Sequence, residues 1–453
     1  QWGHDFRPEY QQLSIISTRY PNTPKIALTA TADLKTREEI VQVLNLANAK
    51  IFVHSFDRPN IQYRISEHKN SKEQLLKFIN SEHENDAGIV YCLSRKSVET
   101  TAQWLCEQGK TALPYHAGLA TEVKDNNQQR FLRENGIIIV ATIAFGMGID
   151  KPDVRFVAHL NLPKSIEAYY QETGRAGRDG MPANTWLAYG MQDVIKLKQM
   201  ASQSDGNEQF KFITQRKIDA LLGYCEVSSC RRQVLLNYFG ETLAEPCGNC
   251  DNCLTPPTTW DGTSAAQKAL STVYRTGQRF GVGHQIDVLT GKVTPKITSF
   301  KHDQLSTFNI GNELKAMQWQ TVFRQLISMG FLAVEMDYGV LKLTEKARPL
   351  LKGECSIELK VQKYKNTKPA QNKKQSIEND LTTSELASFD KLKQQRALWA
   401  KERNVPAYVV FHDATLIDIA RTAPKTLSQL LAVNGLGKTK LELYGDKIIS
   451  LLS

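Results

Sequence analysis

Residues 171–180 of this chain read QETGRAGRDG and set two arginines, Arg175 and Arg178, between glycines. Because glycine has no side chain, backbone can approach such arginines closely. The guanidinium group stays charged and forms paired hydrogen bonds with phosphate oxygens. An arginine placed at a γ-phosphate stabilises the charge that develops during phosphoryl transfer. The stretch therefore indicates catalysis at a nucleotide, and its alternative is a structural ion pair with Glu172 or Asp179.

Residues 57–200, which contain this stretch, alternate apolar runs with helical segments. The apolar runs lie at 88–92, 137–142, 154–160 and 185–189. Runs without polar alternation, separated by helices, predict an α/β domain with a parallel sheet covered on both faces. Ligands of such sheets bind beyond the carboxyl ends of the strands, where we expect Ser94, Arg95 and residues 146–150.

Residues 1–56 are predicted to be the end of a preceding α/β domain. A strand running into a polar turn is expected over 25–33, a helix over 36–46 and a short closing strand over 51–54. The proline-containing turn at residues 58–60 marks the boundary between the two domains.

Four further parts follow the sheet domain. Residues 201–257 are predicted to be helical and then cysteine-rich. Residues 258–352 place an amphipathic helix, over 312–328, before a short hairpin, which is the order of a winged helix. Residues 353–382 are rich in lysine, asparagine and glutamine and predict a flexible linker. Residues 383–453 predict a small all-helical domain.

Four of the eight cysteines, Cys230, Cys247, Cys250 and Cys253, have the spacing C-x16-C-x2-C-x2-C. Thiolates two residues apart pair poorly as disulfides but can surround a tetrahedral Zn²⁺ ion. Four sulfur ligands leave no open position for water, so the predicted zinc site is structural. The other four cysteines have no ligand spacing and are predicted to be core or surface thiols.

Composition and charge limit the classes of function that the chain can have. The 453 residues, of which 41% are hydrophobic, allow two to four domains. The net charge of +10 favours a polyanionic partner. No apolar run reaches membrane-spanning length and no secretory signal is visible, so a cytoplasmic protein without a membrane partner is predicted. The first residue is Gln1, which predicts a fragment of a longer protein.

Several segments resemble known families. Residues 230–240 (CRRQVLLNYFG) and 245–253 (EPCGNCDNC) resemble the RecQ family of DNA helicases, and residues 1–10 (QWGHDFRPEY) look like its aromatic-rich loop. Residues 141–150 (ATIAFGMGID) and 171–180 resemble motifs V and VI of superfamily 2 helicases. The resemblance spans essentially the whole chain and is to bacterial members.

The resemblance implies a RecA-like parallel-sheet fold, followed by a zinc-binding helical subdomain, a winged helix and an HRDC-type all-helical domain. Residues 1–56 would end the first RecA-like domain and residues 57–200 would form the second. The implied activity is ATP-dependent 3′–5′ DNA unwinding in recombination and repair, with structural Zn²⁺, and with ATP and Mg²⁺ in the intact parent. The implied partners are single-stranded, branched and duplex DNA, with repair and single-strand-binding proteins, in the bacterial nucleoid.

One family feature does not occur in these 453 residues. They contain no G-x-x-x-x-G-K-[ST] loop and no Asp-Glu dipeptide. The sequence Gly437-Lys438-Thr439 has Ala432 where the first glycine of that loop would stand. Those two segments bind Mg²⁺ and the β- and γ-phosphates in the family. The chain by itself is therefore predicted to hydrolyse ATP poorly.

The resemblance also assigns roles at the nucleotide. Arg175 and Arg178 would be arginine fingers, and Gln171 would touch the γ-phosphate or position water. Asp150 would meet the ribose, in a nucleotide-binding loop that includes Gly148. The alternative for Asp150 is an exposed loop carboxylate.

DNA contacts are predicted in four places, and each has a structural alternative: a packed tryptophan, ordinary loop chemistry, or a module that docks proteins. Aromatic faces can stack on bases without regard to sequence, and short polar or cationic groups suit phosphates. The predicted residues are Trp2, Phe6 and Arg7; Ser94, Arg95, His116 and Thr142; Tyr338 with residues 312–320; and Tyr408.

Two other functions fit parts of the sequence. The zinc and winged-helix parts could form a platform that binds DNA junctions without turnover. An RNA helicase of the DEAD-box type would share the motifs at 141–150 and 171–180, but the cysteine cluster and winged helix argue against it.

Overall fold

The computed structural model describes residues 13–20, 22–29, 34–68, 70–146, 149–204, 208–334, 340–361 and 381–452. The chain divides into two compact units. The first unit combines residues 1–57, 162–169 and 190–366, and the second combines residues 58–161, 170–189 and 367–453.

The second unit contains a six-stranded sheet in the order β1-β6-β5-β2-β4-β3, with every neighbouring pair parallel. The predicted parallel α/β fold is confirmed. The sequence analysis did not predict the two edge strands, β1 and β3. Strand β1 alternates apolar and polar residues, and β3 contains a proline, which edge strands tolerate. The strands are β1 (Ile61–Glu67), β2 (Gly88–Tyr91), β3 (Ala112–Tyr115), β4 (Ile138–Ala141), β5 (Phe156–His159) and β6 (Ala183–Tyr189).

Helices follow the strands of this sheet and bury their apolar sides against it. Leu75 and Phe78 of one helix and Val98 and Leu105 of the next pack with Val90 of the central strand β2. The helices along residues 14–173 are α1 (Ser14–Arg19), α2 (Leu34–Val43), α3 (Ser71–Glu82), α4 (Arg95–Glu107), α5 (Thr121–Arg133) and α6 (Ile166–Thr173).

The two strands predicted before residue 57 do not form. Residues 24–29 and 50–57 have no regular secondary structure, and the helix between them is α2. The side chains of Ile26, Leu28 and Phe52 are each more than 80% exposed. A strand needs a neighbouring strand, and no strand of the described residues pairs with these two segments.

Residues 191–254 form a helical subdomain of the first unit. Its helices are α7 (Met191–Ser202), α8 (Glu208–Glu226), α9 (Arg231–Tyr238) and α10 (Asp251–Leu254). The subdomain is held partly by buried charges, since Lys198 contacts Asp219 at 2.8 Å with only 2% of the lysine side chain exposed.

A winged helix follows in the same unit, as predicted. The helix expected over 312–328 begins later, at Ala316, because the backbone N–H of Lys315 is capped by the side chain of Gln318. Its elements are β7 (Thr259–Asp261), α11 (Thr263–Arg275), α12 (Val282–Leu289), α13 (Pro295–Ser299), α14 (Ala316–Ser328), β8 (Leu332–Val334), β9 (Leu341–Leu343), α15 (Ala347–Leu351) and β10 (Glu358–Lys360). Strands β8 and β9 form the wing, and β7 pairs with β10.

Residues 383–452 form the predicted all-helical domain. Its core includes the buried side chains of Phe389, Trp399, Leu416, Ile419, Leu430 and Ile448, and Leu441 is half-buried against it. Its helices are α16 (Thr383–Glu402), α17 (Ala407–Val410), α18 (Asp413–Thr422), α19 (Leu427–Leu431) and α20 (Lys438–Leu452). Across the described part of the chain, no helix combines the length and apolar character needed to cross a membrane.

Candidate zinc centre and nucleotide- and DNA-binding residues

The four cysteines predicted to bind zinc lie together in the first unit. The sulfur atoms of Cys230, Cys247, Cys250 and Cys253 all lie within 4.8 Å of one another. Cys250 and Cys253 are 3.4 Å apart between sulfurs, and Cys247 and Cys253 are 4.0 Å apart. A tetrahedral zinc ion with Zn–S bonds of about 2.3 Å holds its sulfurs ~3.8 Å apart. The cluster therefore fits a structural Zn²⁺ ion.

Backbone N–H groups point at these sulfurs, as expected around thiolates. Arg231 donates to Cys250, Cys247 donates to Cys230, and Asn249 donates to Cys247, at 3.3–3.4 Å. The hydrogen bond from the Cys247 thiol, helped by the backbone N–H of Arg231, lowers the pKa of Cys250 to about 4 against the opposing effect of burial. By contrast, burial raises the pKa of Cys225 to about 12, consistent with its predicted role as a core thiol.

Arg231 joins the cysteine cluster to the chain just before it. Its buried guanidinium contacts Asp251 at 2.5 Å and donates to the carbonyl oxygens of Tyr224 and Cys225. The side chain of Asn252 donates to the carbonyls of Val227 and Ser229. Residues 224–229 are thus held by side chains adjacent to zinc ligands.

The winged helix also contacts residues 224–229. Arg324 of α14 forms a buried ion pair with Glu226, and Lys360 of β10 donates to the carbonyl of Val227 at 2.5 Å. Burial, partly offset by the charge of Glu226, lowers the pKa of Lys360 to about 8. Sequence analysis missed this cluster, because lysine and arginine in helices and strands usually indicate exposed positions.

Replacing Glu226 with glutamine is expected to cost about 3–5 kcal/mol of unfolding free energy, because it removes the buried carboxylate that pairs with Arg324 and partly offsets the burial of Lys360. Chemical denaturation of the first unit would measure it. The matched control is Glu313→Gln, which breaks the more exposed pair with Lys268 and should cost under ~1 kcal/mol. Equal effects of the two variants would contradict the buried-charge account.

The cluster of Glu226, Arg324 and Lys360 makes the stability of the folded chain depend on pH. The pKa of Lys360 is lower in the folded protein than in an unfolded chain, so the folded state loses its proton first. Stability should therefore rise as pH increases from about 8 toward about 10.5, and a Lys360→Met variant should lack that rise.

Arg175 and Arg178 both reach the loop that follows β4 in the second unit. Arg175 donates to the carbonyl of Gly146, and Arg178 donates to the carbonyl of Ile149 at 3.0 Å. A side chain at Gly146 would stand 2.7 Å from the Arg175 guanidinium and would displace it. Arg178 is exposed and Arg175 half-buried, so neither is enclosed in a core.

The carboxylate that pairs with Arg178 is neither Glu172 nor Asp179, the two ion-pair partners that the sequence analysis considered. Asp150 contacts Arg178 at 2.5 Å, whereas Glu172 contacts His159 and Asp179 contacts Arg155. The side chain of Asp150 remains 85% exposed. Gln171 lies in the last turn of α6, half-buried.

The predicted phosphate contacts at Ser94, His116 and Thr142 gather at one edge of the sheet. They follow strands β2, β3 and β4, whose last residues Tyr91, Tyr115 and Ala141 are register partners. Parallel strands bring their carboxyl ends to the same edge, so these loops are neighbours.

Each of these residues also has a local structural partner. Ser94 caps α4 by accepting from the N–H of Ser97, and Thr142 accepts from the N–H of Ala144. His116 is buried, with its Nε2 at 3.0 Å from Glu99. Arg95 packs against Gly118, at which a side chain would meet its guanidinium. A hydroxyl that accepts a backbone hydrogen bond still has its proton and a second lone pair. Ser94 and Thr142 could therefore also bind a phosphate.

Tyr408 lies in the all-helical domain, within the electrostatic reach of two carboxylates of the sheet domain. Burial, then Asp150 and Asp153, raise the pKa of its hydroxyl. Those negative charges oppose a phosphate at Tyr408 in this arrangement of the second unit. Trp2, Phe6, Arg7, Gly148 and Tyr338 lie outside the described residues.

Family models match four successive parts of the chain. They are "Helicase conserved C-terminal domain" over residues 70–180, "RecQ zinc-binding" over 191–254, "RQC domain" over 256–368 and "HRDC domain" over 385–452. The second of these contains the whole cysteine cluster.

Similar proteins extend along the whole chain. An ATP-dependent DNA helicase RecQ of Pasteurella multocida is 44% identical over 458 residues, covering 100% of this chain and 71% of that protein. The helicase of the same name from Haemophilus influenzae is 44% identical, covering 100% and 73%, and that of Bacillus subtilis is 33% identical, covering 98% and 73%. With the cysteine cluster, the parallel sheet and the winged helix in place, this chain belongs to the RecQ family of DNA helicases.

Proposed function

We propose that the intact protein is an ATP-dependent helicase that unwinds DNA from 3′ to 5′ in recombination and repair. The observation that carries the proposal is the convergence of Arg175 and Arg178 on the loop after β4. That loop begins with Thr142, at the same sheet edge as Ser94, and continues to the amino end of β5. One loop thus connects polar groups for a DNA strand, at its start, with the arginines for a nucleotide, which suits coupling between hydrolysis and movement.

In this proposal the chain supplies the arginines and the DNA-holding parts. ATP and Mg²⁺ would be bound mainly by groups that the 453 residues do not contain, since they include no G-x-x-x-x-G-K-[ST] loop. Gln171 and Asp150 would complete the site from this side, with Asp150 exchanging Arg178 for the ribose. The proposed partners are single-stranded and branched DNA, with repair and single-strand-binding proteins, in the cytoplasm at the nucleoid.

A DNA-binding platform without turnover is the second candidate. The observation in its favour is that the cysteine cluster and the winged helix are tied by the buried Arg324–Glu226 pair and by Lys360. Such a body would hold DNA whether or not ATP is hydrolysed.

An ATPase assay with and without single-stranded DNA tests the two candidates. The 453-residue chain should bind DNA yet show no stimulated hydrolysis, whereas a longer chain with a phosphate-binding loop should hydrolyse ATP when DNA is added. Stimulated hydrolysis by the 453 residues would contradict the proposed division of the site. DNA binding by the longer chain without any hydrolysis would favour the platform.

A further inference from the structure

Two neighbouring strands of the parallel sheet end in aromatic side chains that lie against each other. Tyr91 is the last residue of β2, His159 is the last residue of β5, and the two are register partners. Such partners on parallel strands project from the same face of the sheet. Their rings stack, with centres 5.1 Å apart and planes 23° apart. Both side chains are buried, although each carries a polar group.

The polar group of His159 contacts the stretch that carries the arginines. Its Nε2 lies 2.7 Å from the carboxylate of Glu172, and only 1% of the histidine side chain and 9% of the glutamate side chain are exposed. Glu172 lies in α6, and its backbone carbonyl accepts the N–H of Arg175 at 3.3 Å. The contact with His159 therefore holds the backbone from which the Arg175 side chain extends.

The polar group of Tyr91 contacts the loop that receives this arginine. The Tyr91 hydroxyl donates to the carbonyl of Phe145 at 3.0 Å, and Arg175 donates to the carbonyl of the next residue, Gly146. Burial raises the pKa of the Tyr91 hydroxyl, and the nearby charge of Arg175 offsets this only in part. The hydroxyl therefore keeps its proton and remains a donor. Tyr91 thus holds the loop segment at which the guanidinium ends.

Both ends of the contact between Arg175 and the loop are thus tied to one pair of stacked rings. Filling a core does not require these polar groups, since phenylalanine and leucine have similar volumes and buried polar pairs contribute little net stability. What hydrogen bonds add is direction, because they hold their partners within narrow limits of distance and angle. The arrangement therefore suits the precise placement of one side chain.

We propose that Tyr91, His159 and Glu172 are positioning residues that hold the Arg175 guanidinium where it acts on the phosphate. The inference rests on the proposed function, in which Arg175 acts at the nucleotide, and it adds which buried groups set the place of that arginine. A displacement of about 1 Å near a reacting group can cost ~100-fold in rate. The three residues act only through Arg175.

The test measures DNA-stimulated ATP hydrolysis by the intact protein carrying Tyr91→Phe, which removes one hydroxyl and keeps the ring. We expect kcat to fall ~10- to 100-fold, because the loop no longer holds the guanidinium in place. The KM for ATP and the affinity for single-stranded DNA should stay within about twofold, since the arginine acts in the transition state.

The matched control is Tyr444→Phe in the all-helical domain. Tyr91 and Tyr444 are each 4% exposed, and the Tyr444 hydroxyl accepts a hydrogen bond from Arg403 at 2.8 Å. The control thus removes an equally buried, hydrogen-bonded hydroxyl at a distance from the arginines. It should leave kcat within about twofold of the unchanged protein.

A pair of variants tests the carboxylate in the same assay. Glu172→Gln keeps an oxygen that can accept a hydrogen bond from His159, whereas Glu172→Leu keeps only the volume. We expect Glu172→Gln to retain kcat within about fivefold and Glu172→Leu to lose it as Tyr91→Phe does.

A double variant separates positioning from a general loss of structure. In an Arg175→Ala protein, Tyr91→Phe has no guanidinium left to position. Single-turnover hydrolysis should therefore fall by less than about twofold further. A substitution that only loosened the fold would lower the rate by the same factor with and without Arg175.

The outcomes separate this inference from the proposed function. An unchanged intact protein that does not hydrolyse ATP overturns the proposed function and this inference with it. Full hydrolysis by Tyr91→Phe in an otherwise active protein overturns the positioning of Arg175 alone. Equal losses for Tyr91→Phe and Tyr444→Phe, or equal losses with and without Arg175, overturn it as well.

Discussion

Replacing Cys250 with serine is expected to unfold the zinc-binding subdomain, residues 191–254. Metal binding contributes about 10–16 kcal/mol to the folding of small zinc-binding peptides, which equals or exceeds the ~5–15 kcal/mol stability of a typical domain. Cys250 is buried, and its sulfur also receives the N–H of Arg231. Losing the ion would free Arg231, and with it the segment 224–229 that both the cysteine cluster and the winged helix hold.

Metal analysis and hydrogen exchange would measure this effect. We expect one zinc ion per unchanged chain, loss of that ion in the variant, and fast exchange along α8, α9 and α10. The matched control is Cys355→Ser, which alters an exposed thiol outside the cluster and should change neither quantity. A Cys250→Ser chain that retains zinc and slow exchange would contradict a four-sulfur structural site.

Replacing Arg178 with alanine is expected to abolish most DNA-stimulated ATP hydrolysis in the intact protein. An arginine finger contributes about 10³–10⁵ to the rate of phosphoryl transfer, because it neutralises charge that exists only in the transition state. Arg178 is exposed and its present partner is a surface charge, the 85%-exposed Asp150. It can therefore exchange that partner for a phosphate at small energetic cost.

The control is Arg155→Ala. Arg155 also contacts the 171–180 stretch, through an ion pair with Asp179, but it donates to the carbonyls of Pro152 and Pro182. We expect its removal to lower stability and to leave the hydrolysis rate per folded molecule within about tenfold. Steady-state hydrolysis with saturating single-stranded DNA, beside a thermal melt, separates the two effects. Similar rate losses in both variants, or no loss in Arg178→Ala, would assign Arg178 a structural role.

Local patterns predicted much of this molecule. The cysteine spacing predicted a cluster, and the four sulfurs lie together because three of the cysteines fall within seven residues of chain. Continuous apolar runs predicted a parallel sheet, because only strands buried on both faces dispense with polar alternation. The apolar residues of 316–328 recur at helical spacing, and this pattern predicted a helix with one buried side.

Other features depended on partners distant in sequence. The segments at 25–29 and 51–54 have strand-like composition but no strand, since a strand exists only beside a neighbour. The partner of Arg178 proved to be Asp150, 28 residues away, rather than the adjacent Asp179. The packing of α14 against α8 also depended on distant residues, because no periodicity in α14 could show that Arg324 and Gln325 would be buried.

The sequence by itself determined the order of the domains, the zinc ligands and the family, because those depend on residue types at short, regular spacings. Only the tertiary structure decided which charges are buried together, as in Glu226, Arg324 and Lys360. The physical reason is that electrostatic energy depends on distance and solvent exposure, and both are properties of the folded chain.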